Sequence, residues 1–190
     1  MEVESVLLTG GRSSRMGEDK ASLLFRGEPV AEAIAKRLAT VSSQVTILGR
    51  SAINGFKFLQ DKSEFGGPIC ALANFVPAAQ KIFVVSCDLP LFDPEIVTVL
   101  SDRIDTHPSV MAVVPVIAKQ KQPLVALYRE AAFGMIPTVL AEGRKNMMAW
   151  LDSLWVERFE EDEFVNAGLD CTCFSSIDTP MEFESISRSL

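Results

Sequence analysis

The chain has few of the side chains on which several common chemistries depend. Among 190 residues there is one histidine and one tyrosine. The single imidazole, His107, stands beside Pro108 in a predicted loop, which argues against a Ser-His-Asp hydrolase and its histidine base. The four cysteines, Cys70, Cys87, Cys171 and Cys173, include no C-x-x-C pair. Cys171-x-Cys173 would put two thiols on one face of a strand, but one histidine gives a zinc set little to add to them. Reduced, cytoplasmic thiols are the expectation. A basic excess is also missing. Lys and Arg number 18 against 25 Asp and Glu, a net charge of −7, which is unsuited to binding nucleic acid through its phosphates. No apolar run nears the roughly 20 residues of a membrane span. Met1-Glu2-Val3-Glu4-Ser5 lacks the basic start of a secretory leader. The expectation is a cytoplasmic protein with neither a nucleic acid nor a membrane as partner.

The hydrophobic share is 48%, and the length suits one well-buried core, so residues 1–190 are expected to form a single domain. Short β-like runs alternate with helical stripes. Strands are expected at 4–9, 45–48, 56–59, 81–86, 110–117 and 125–128. Helices are expected at 29–42, 68–79, 93–103, 129–142, 146–154 and from about Pro180. Asp93 is placed to cap the third helix, with Pro94 in its first turn. This alternation predicts an α/β fold with a mostly parallel sheet. Ligands of such sheets sit beyond the carboxyl ends of the strands. That rule puts residues 9–20, 61–67 and 87–91 on one rim.

The first of these segments is the most specific. Val6-Leu7-Leu8-Thr9 runs into Gly10-Gly11-Arg12-Ser13-Ser14-Arg15-Met16-Gly17-Glu18-Asp19-Lys20. Glycines let backbone N–H groups approach an anion, and Arg12, Arg15 and Lys20 add positive charge beside them. The P-loop pattern fails because Gly17 is not followed directly by lysine. The dinucleotide pattern fails because the glycines are adjacent. What remains, L-x-G-G-x-S-x-R-M-G-x-D-K, resembles the signature of Rossmann-like nucleotidyltransferases. The Gly-Gly pair and Asp19-Lys20 are similar, within that group, to the molybdenum cofactor guanylyltransferases.

Further segments carry the same resemblance. Ser86-Cys87-Asp88-Leu89-Pro90 follows the most hydrophobic strand, where an acidic residue suits Mg²⁺ bound by carboxylate and phosphate oxygens; as a bland alternative, Asp88 caps a turn. In the family the aspartate of this C-D-x-P context is the Mg²⁺ ligand. Asp61 precedes Gly67-Pro68-Ile69-Cys70-Ala71-Leu72, which resembles the family's G-P-L-x-G-x segment, whose preceding aspartate contacts the nucleotide; a solvated loop acid is the other reading. Gln122-Pro123-Leu124-Val125-Ala126-Leu127-Tyr128 resembles a segment near the pterin side of the family's cleft. Arg144 and Lys145 follow Leu140-Ala141-Glu142-Gly143 and either receive the acceptor's phosphate or complement a helix dipole. Phe174-Ser175-Ser176-Ile177-Asp178-Thr179-Pro180 resembles F-x-N-I-N-T-P with both asparagines replaced, leaving Asp178 as a second metal ligand or a helix cap. One departure concerns the base. The family carries N-x-N-R after its second strand, whereas this chain reads Ile47-Leu48-Gly49-Arg50. Backbone groups near Leu8 and Gly10 are left to read the base.

The resemblance implies a three-layer Rossmann-like fold of the nucleotide-diphospho-sugar-transferase type and a Mg²⁺-dependent transfer of GMP from GTP to molybdopterin. Leu8, Thr9, Gly10, Gly11, Lys20, Asp61 and Asp88 would hold the nucleotide. Arg15, Lys20 and Asp88 would act in catalysis, Asp88 and Asp178 on the metal, and Gln122, Arg144 and Lys145 on the acceptor. Transient contact with molybdenum-cofactor assembly or acceptor enzymes is implied as well. GTP is expected because Gly10-Gly11 follows the guanylyltransferase form, not the Ala-Gly form common in cytidylyltransferases. The alternatives are a cytidylyltransferase or sugar-phosphate nucleotidyltransferase of the same fold, or a non-catalytic nucleotide-binding module that delivers cofactor. Lys20 separates catalysis from mere binding. Lys20→Ala should lower turnover by roughly 10²–10³, the scale of losing one preorganised stabilising donor, with the melting temperature nearly unchanged; steady-state turnover within about threefold of wild type would remove Lys20 from the chemistry.

Overall fold

A computed structural model describes residues 2–10, 23–63, 66–177 and 179–188. The strands are β1 (Val3–Leu8), β2 (Leu24–Phe25), β3 (Glu28–Pro29), β4 (Gln44–Gly49), β5 (Lys57–Gln60), β6 (Lys81–Ser86), β7 (Ala112–Ile117), β8 (Gln120–Lys121), β9 (Val125–Arg129) and β10 (Val156–Glu160). The helices are α1 (Val30–Leu38), α2 (Pro68–Leu72), α3 (Glu95–Asp105), α4 (Glu130–Phe133), α5 (Ile136–Ala141), α6 (Met147–Leu151), α7 (Glu161–Asn166) and α8 (Pro180–Arg188), with a 3₁₀ turn at Cys171–Phe174.

One sheet runs in the order β10-β7-β9-β6-β1-β4-β5, with β8 paired to β7. Pairs β1–β4, β1–β6, β4–β5 and β7–β10 are parallel; β9 is antiparallel to both β6 and β7. The mostly parallel sheet is therefore as expected, with one reversed strand set into it. From β1 the chain first builds outward through β4 and β5, then returns to place β6 on the other side. The order of strands reverses at β1, and in open α/β sheets a crevice forms at such a reversal.

Both faces of the sheet are covered, as period-two strands buried on two sides require. Val3, Leu7, Ile47, Phe83 and Val85 pack under α1 and α3. Val6, Leu8, Leu48, Ile82 and Val84 pack on the other face with residues of α2, α5 and α6. These are the three layers that the resemblance implies.

Several boundaries differ from those expected. The helix expected at 68–79 stops at Leu72, before Asn74 and ahead of Pro77, whose ring cannot continue it. The helix expected at 129–142 is two helices, α4 and α5, separated at Gly134-Met135 ahead of Pro137. The third helix begins at Glu95, not at Asp93; the Asp93 carboxylate accepts the Glu95 N–H at 2.9 Å. Cys171 and Cys173 lie in the 3₁₀ turn, not on a strand. Cys173 is buried while Cys171 is half-buried. Desolvation pushes both thiols up, that of Cys173 to about 12, so neither is a ready thiolate for zinc. No group of three or more metal-ligating side chains occurs among the described residues. No helix among them is long and apolar enough to cross a membrane.

On the second face Trp150 is fully buried. It stacks on Tyr128 at 4.5 Å, meets Phe133 edge-on at 5.4 Å and donates its indole N–H to the Ala132 carbonyl at 3.0 Å. Tyr128 in turn donates its hydroxyl to the Pro123 carbonyl at 2.7 Å, which ties the start of β9 to this cluster. Trp150→Ala should cost about 3–5 kcal/mol by cavity formation and lost ring contacts. Thermal unfolding should show a fall of roughly 10 °C or more; a drop under about 3 °C would mean the cluster is not a keystone.

Candidate active site

The sheet register lines up the rim of the crevice. Leu8 of β1 stands opposite Leu48 of β4 on one side and Ser86 of β6 on the other. Gly49 in turn stands opposite Gln60 of β5. The residues that follow each strand therefore emerge side by side: Asp61, Arg50, Thr9-Gly10 and Cys87-Asp88. Three backbone hydrogen bonds continue the ladder past the strand ends. Thr9 N–H donates to Leu48 C=O at 3.0 Å, Cys87 N–H to Leu8 C=O at 3.1 Å, and Asp61 N–H to Gly49 C=O at 2.7 Å.

Gly10 and Asp61 face each other. A Cβ added to Gly10 would stand 3.4 Å from Asp61 Oδ2. The other carboxylate oxygen, Oδ1, accepts from Ser63 N–H at 2.8 Å and Ser63 Oγ at 2.6 Å. Asp88 has a comparable support: Ser86 Oγ hydrogen-bonds its Oδ1. Each acid is thus held by a serine two residues away, Ser63 after Asp61 and Ser86 before Asp88. Neither serine was marked in the sequence, although a hydroxyl two residues from a strand-end acid is the signal that would have found both.

The tail closes against the same rim. Ile177 donates its N–H to the Asp88 carbonyl at 2.8 Å. The segment that resembles F-x-N-I-N-T-P is thereby brought to the candidate metal residue. Asp178, the next residue, lies outside the described residues, as do Gly11, Arg12, Arg15 and Lys20. The loop after Asp88 is held from α1. Arg37 donates to the carbonyls of Pro90 at 3.2 Å and Phe92 at 2.8 Å. The sequence pattern marks no role for Arg37.

The expected acceptor residues lie further along the rim. Gln122 precedes β9, which runs against its neighbours, so its start shares the edge with their ends. Ser86 N–H donates to the Leu124 carbonyl at 2.9 Å, which fixes this start to the end of β6. Arg144 is half-exposed; it pairs with Glu142 at 2.6 Å and donates to the Ala149 carbonyl at 3.3 Å. To receive a phosphate it must exchange the Glu142 contact, a modest loss for a surface pair. Lys145 is exposed. Its carbonyl oxygen would stand 3.6 Å from a Cβ at Gly67, which sets this segment against the start of α2. His107 takes no part, since its ring contacts Thr106 Oγ1 and the Arg103 carbonyl at the end of α3.

Comparison with known proteins identifies the family. Residues 5–158 match the family model of the MobA-like NTP transferase domain. The chain belongs to that family. It is therefore a member of a nucleotidyltransferase family, and the resemblance read from the loop motif holds. A molybdenum cofactor guanylyltransferase from Burkholderia vietnamiensis is 30% identical over 185 residues, covering 87% of this chain and 90% of the relative. The crystal structure of molybdopterin-guanine dinucleotide biosynthesis protein A from Archaeoglobus fulgidus superposes with a TM-score of 0.84 at 18% identity, covering 98% of this chain and 97% of the other. A Mycobacterium tuberculosis protein solved as a manganese complex shares the fold at a TM-score of 0.59 and 19% identity over the whole of both chains.

Arg37 gives the site a measurable dependence on its support. Arg37→Met removes both carbonyl contacts and should cost about 1–3 kcal/mol. Calorimetry should show a melting temperature lower by roughly 3–10 °C. An unchanged melting temperature would mean that the loop after Asp88 holds its shape without α1.

Proposed function

We propose that this chain is a Mg²⁺-dependent guanylyltransferase that moves GMP from GTP to molybdopterin and releases pyrophosphate. The observation that carries the proposal is that Gly10, Asp61 and Asp88 follow β1, β5 and β6 on one rim of the sheet, where the order of strands reverses. That crevice is where an α/β sheet of this kind accepts a nucleotide.

The donors at Asp88 suit a hard cation. They are oxygens only, a half-buried carboxylate supported by the Ser86 hydroxyl. Mg²⁺ takes one or two carboxylates and completes its shell with phosphate oxygens and water. Asp88, joined by Asp178, would hold it. Bound there, the ion supplies neutralisation of phosphate charge.

The remaining work falls to the chain. Backbone N–H groups from Gly10 and Gly11 onward hold the triphosphate. Leu8 and Thr9 present the end of β1 to the nucleoside, and Asp61 contacts it from β5. An oxygen of the acceptor's phosphate bonds to the α-phosphorus, and the bond from that phosphorus to the bridging oxygen breaks. The electron pair leaves with pyrophosphate. Arg15 and Lys20 balance the charge that develops on the α-phosphate and the leaving group. The attacking phosphate is already anionic, so no general base is needed. Catalysis then rests on positioning and electrostatics. Gln122, Arg144 and Lys145 receive the acceptor on the β9 side. The setting is the cytoplasm, with transient contact to enzymes that make or take up the molybdenum cofactor, and with no nucleic acid or membrane as partner.

Asp88→Asn tests the proposal. Asparagine caps a turn about as well as aspartate but is a poor Mg²⁺ ligand. Pyrophosphate release from GTP and molybdopterin should fall by roughly 10²–10³, with the melting temperature within about 2 °C of wild type. Activity that survives the substitution, or that falls only in step with stability, would assign Asp88 to the turn alone.

A further inference from the structure

Thr9, the residue after β1, carries a hydroxyl that has no hydrogen-bond partner among the described residues, although the residue is only 7% exposed. Buried polar groups are nearly always paired, so an orphan hydroxyl calls for a reason. Valine has the same shape and would fill the position without that cost. The hydroxyl also occupies a particular place. A Cβ built on Gly49 would stand 2.0 Å from Thr9 Oγ1, 3.0 Å from the Thr9 carbonyl carbon and 3.1 Å from Gly10 N. Thr9's side chain therefore fills the space in which a side chain at position 49 would begin. Position 49 is where the family pattern N-x-N-R carries its second asparagine. In this chain a hydroxyl entering from β1 and a side chain entering from β4 are mutually exclusive.

In the proposed reading Asp61 contacts the nucleoside and Asp88 would hold the metal. Thr9 Oγ1 lies against Gly49, and Gly49 lies with Asp61 beside Gly10. The hydroxyl is therefore on the Asp61 side of the site. Resting on the reading of the site as a GTP site, we propose that the Thr9 hydroxyl is this chain's own base-reading group. It replaces the side chain that Gly49 lacks and hydrogen-bonds the guanine edge, directly or through one bridging water. A hydroxyl both donates and accepts, so it can meet either the carbonyl or the N–H groups of that edge. An orphan in the free protein gains its partner when the nucleotide binds.

The test compares wild type with Thr9→Val and Thr9→Ser in the full chain. GTP binding is measured by calorimetric titration with Mg²⁺ present, and the melting temperature is measured without nucleotide. Thr9→Val should weaken GTP binding about three- to tenfold, the effect of one neutral hydrogen bond. It should leave the nucleotide-free melting temperature equal or higher, because the orphan hydroxyl is gone. Thr9→Ser keeps the hydroxyl and should bind GTP within about twofold of wild type. A merely structural threonine would not give this opposition of binding and stability. A folded Thr9→Val that binds GTP as wild type does overturns the proposal while leaving the guanylyltransferase reading intact, as does a folded Thr9→Val that melts well below wild type. Wild type that binds CTP more tightly than GTP overturns both. If Thr9→Val does not fold, Thr9→Ala against Thr9→Ser gives the same contrast in GTP affinity, and equal affinities overturn the proposal.

Discussion

The parallel ladder that grips β1 between β4 and β6 is the interaction on which the rest of the structure depends. Its register sets Leu48, Leu8 and Ser86 level with one another. The three backbone bonds beyond the strand ends then carry the alignment into the loops. Without it, an acid after β5 and an acid after β6 would have no common neighbour. With it, both stand on the rim where β1 ends, and Asp61 lies against Gly10. The ladder is buried on both faces, so a slip of one residue would move Val3 and Leu7 from one core to the other and is strongly opposed. The rim inherits its geometry from that constraint.

Close packing imposes a second condition at the same point. Gly49 and Thr9 approach so nearly that position 49 admits no side chain. The crossing is tight where β1 and β4 turn outward, and it fixes Gly10 beside the Asp61 carboxylate. Serines hold the two acids, each through one carboxylate oxygen. Charges that are oriented before a ligand arrives need no reorganisation when it does. The tail adds its own restraint by bonding Ile177 to the Asp88 carbonyl, so the chain's last third returns to a residue of its middle third.

Much of this was legible in the sequence. Strong runs such as Ile82-Phe83-Val84-Val85 announce buried strands, and the acids that follow strands announce the rim. The loop motif named the family because it depends on a spacing of glycines and cations that few other sites need. What stayed hidden was decided by tertiary context. Pro77 and Pro137 mark helix limits, but apolar residues continue past Leu72 and Phe133 for the sake of the core, and periodicity alone read them as helix. The reversed direction of β9 has no local signature, since a strand buried on both faces has the same composition whichever way it runs. The segment Val156–Asn166 forms β10 and α7, yet its charged run Glu160-Glu161-Asp162-Glu163 obscures both. The support that Arg37 gives to the loop after Asp88 spans more than 50 residues of chain, a distance at which spacing carries no information. The roles of Arg15, Lys20 and Asp178 rest on the sequence resemblance.

The central claim is that the crevice at β1 joins a guanine nucleotide to molybdopterin. The most direct measurement is mass-spectrometric analysis of product after the chain is incubated with Mg²⁺, molybdopterin and each of GTP, CTP, ATP and UTP in turn, with pyrophosphate followed in parallel. The account predicts a molybdopterin–guanine dinucleotide and one equivalent of pyrophosphate, formed from GTP and only when molybdopterin is present. A cytosine dinucleotide formed in preference, or no pyrophosphate with any of the four nucleotides, would contradict it.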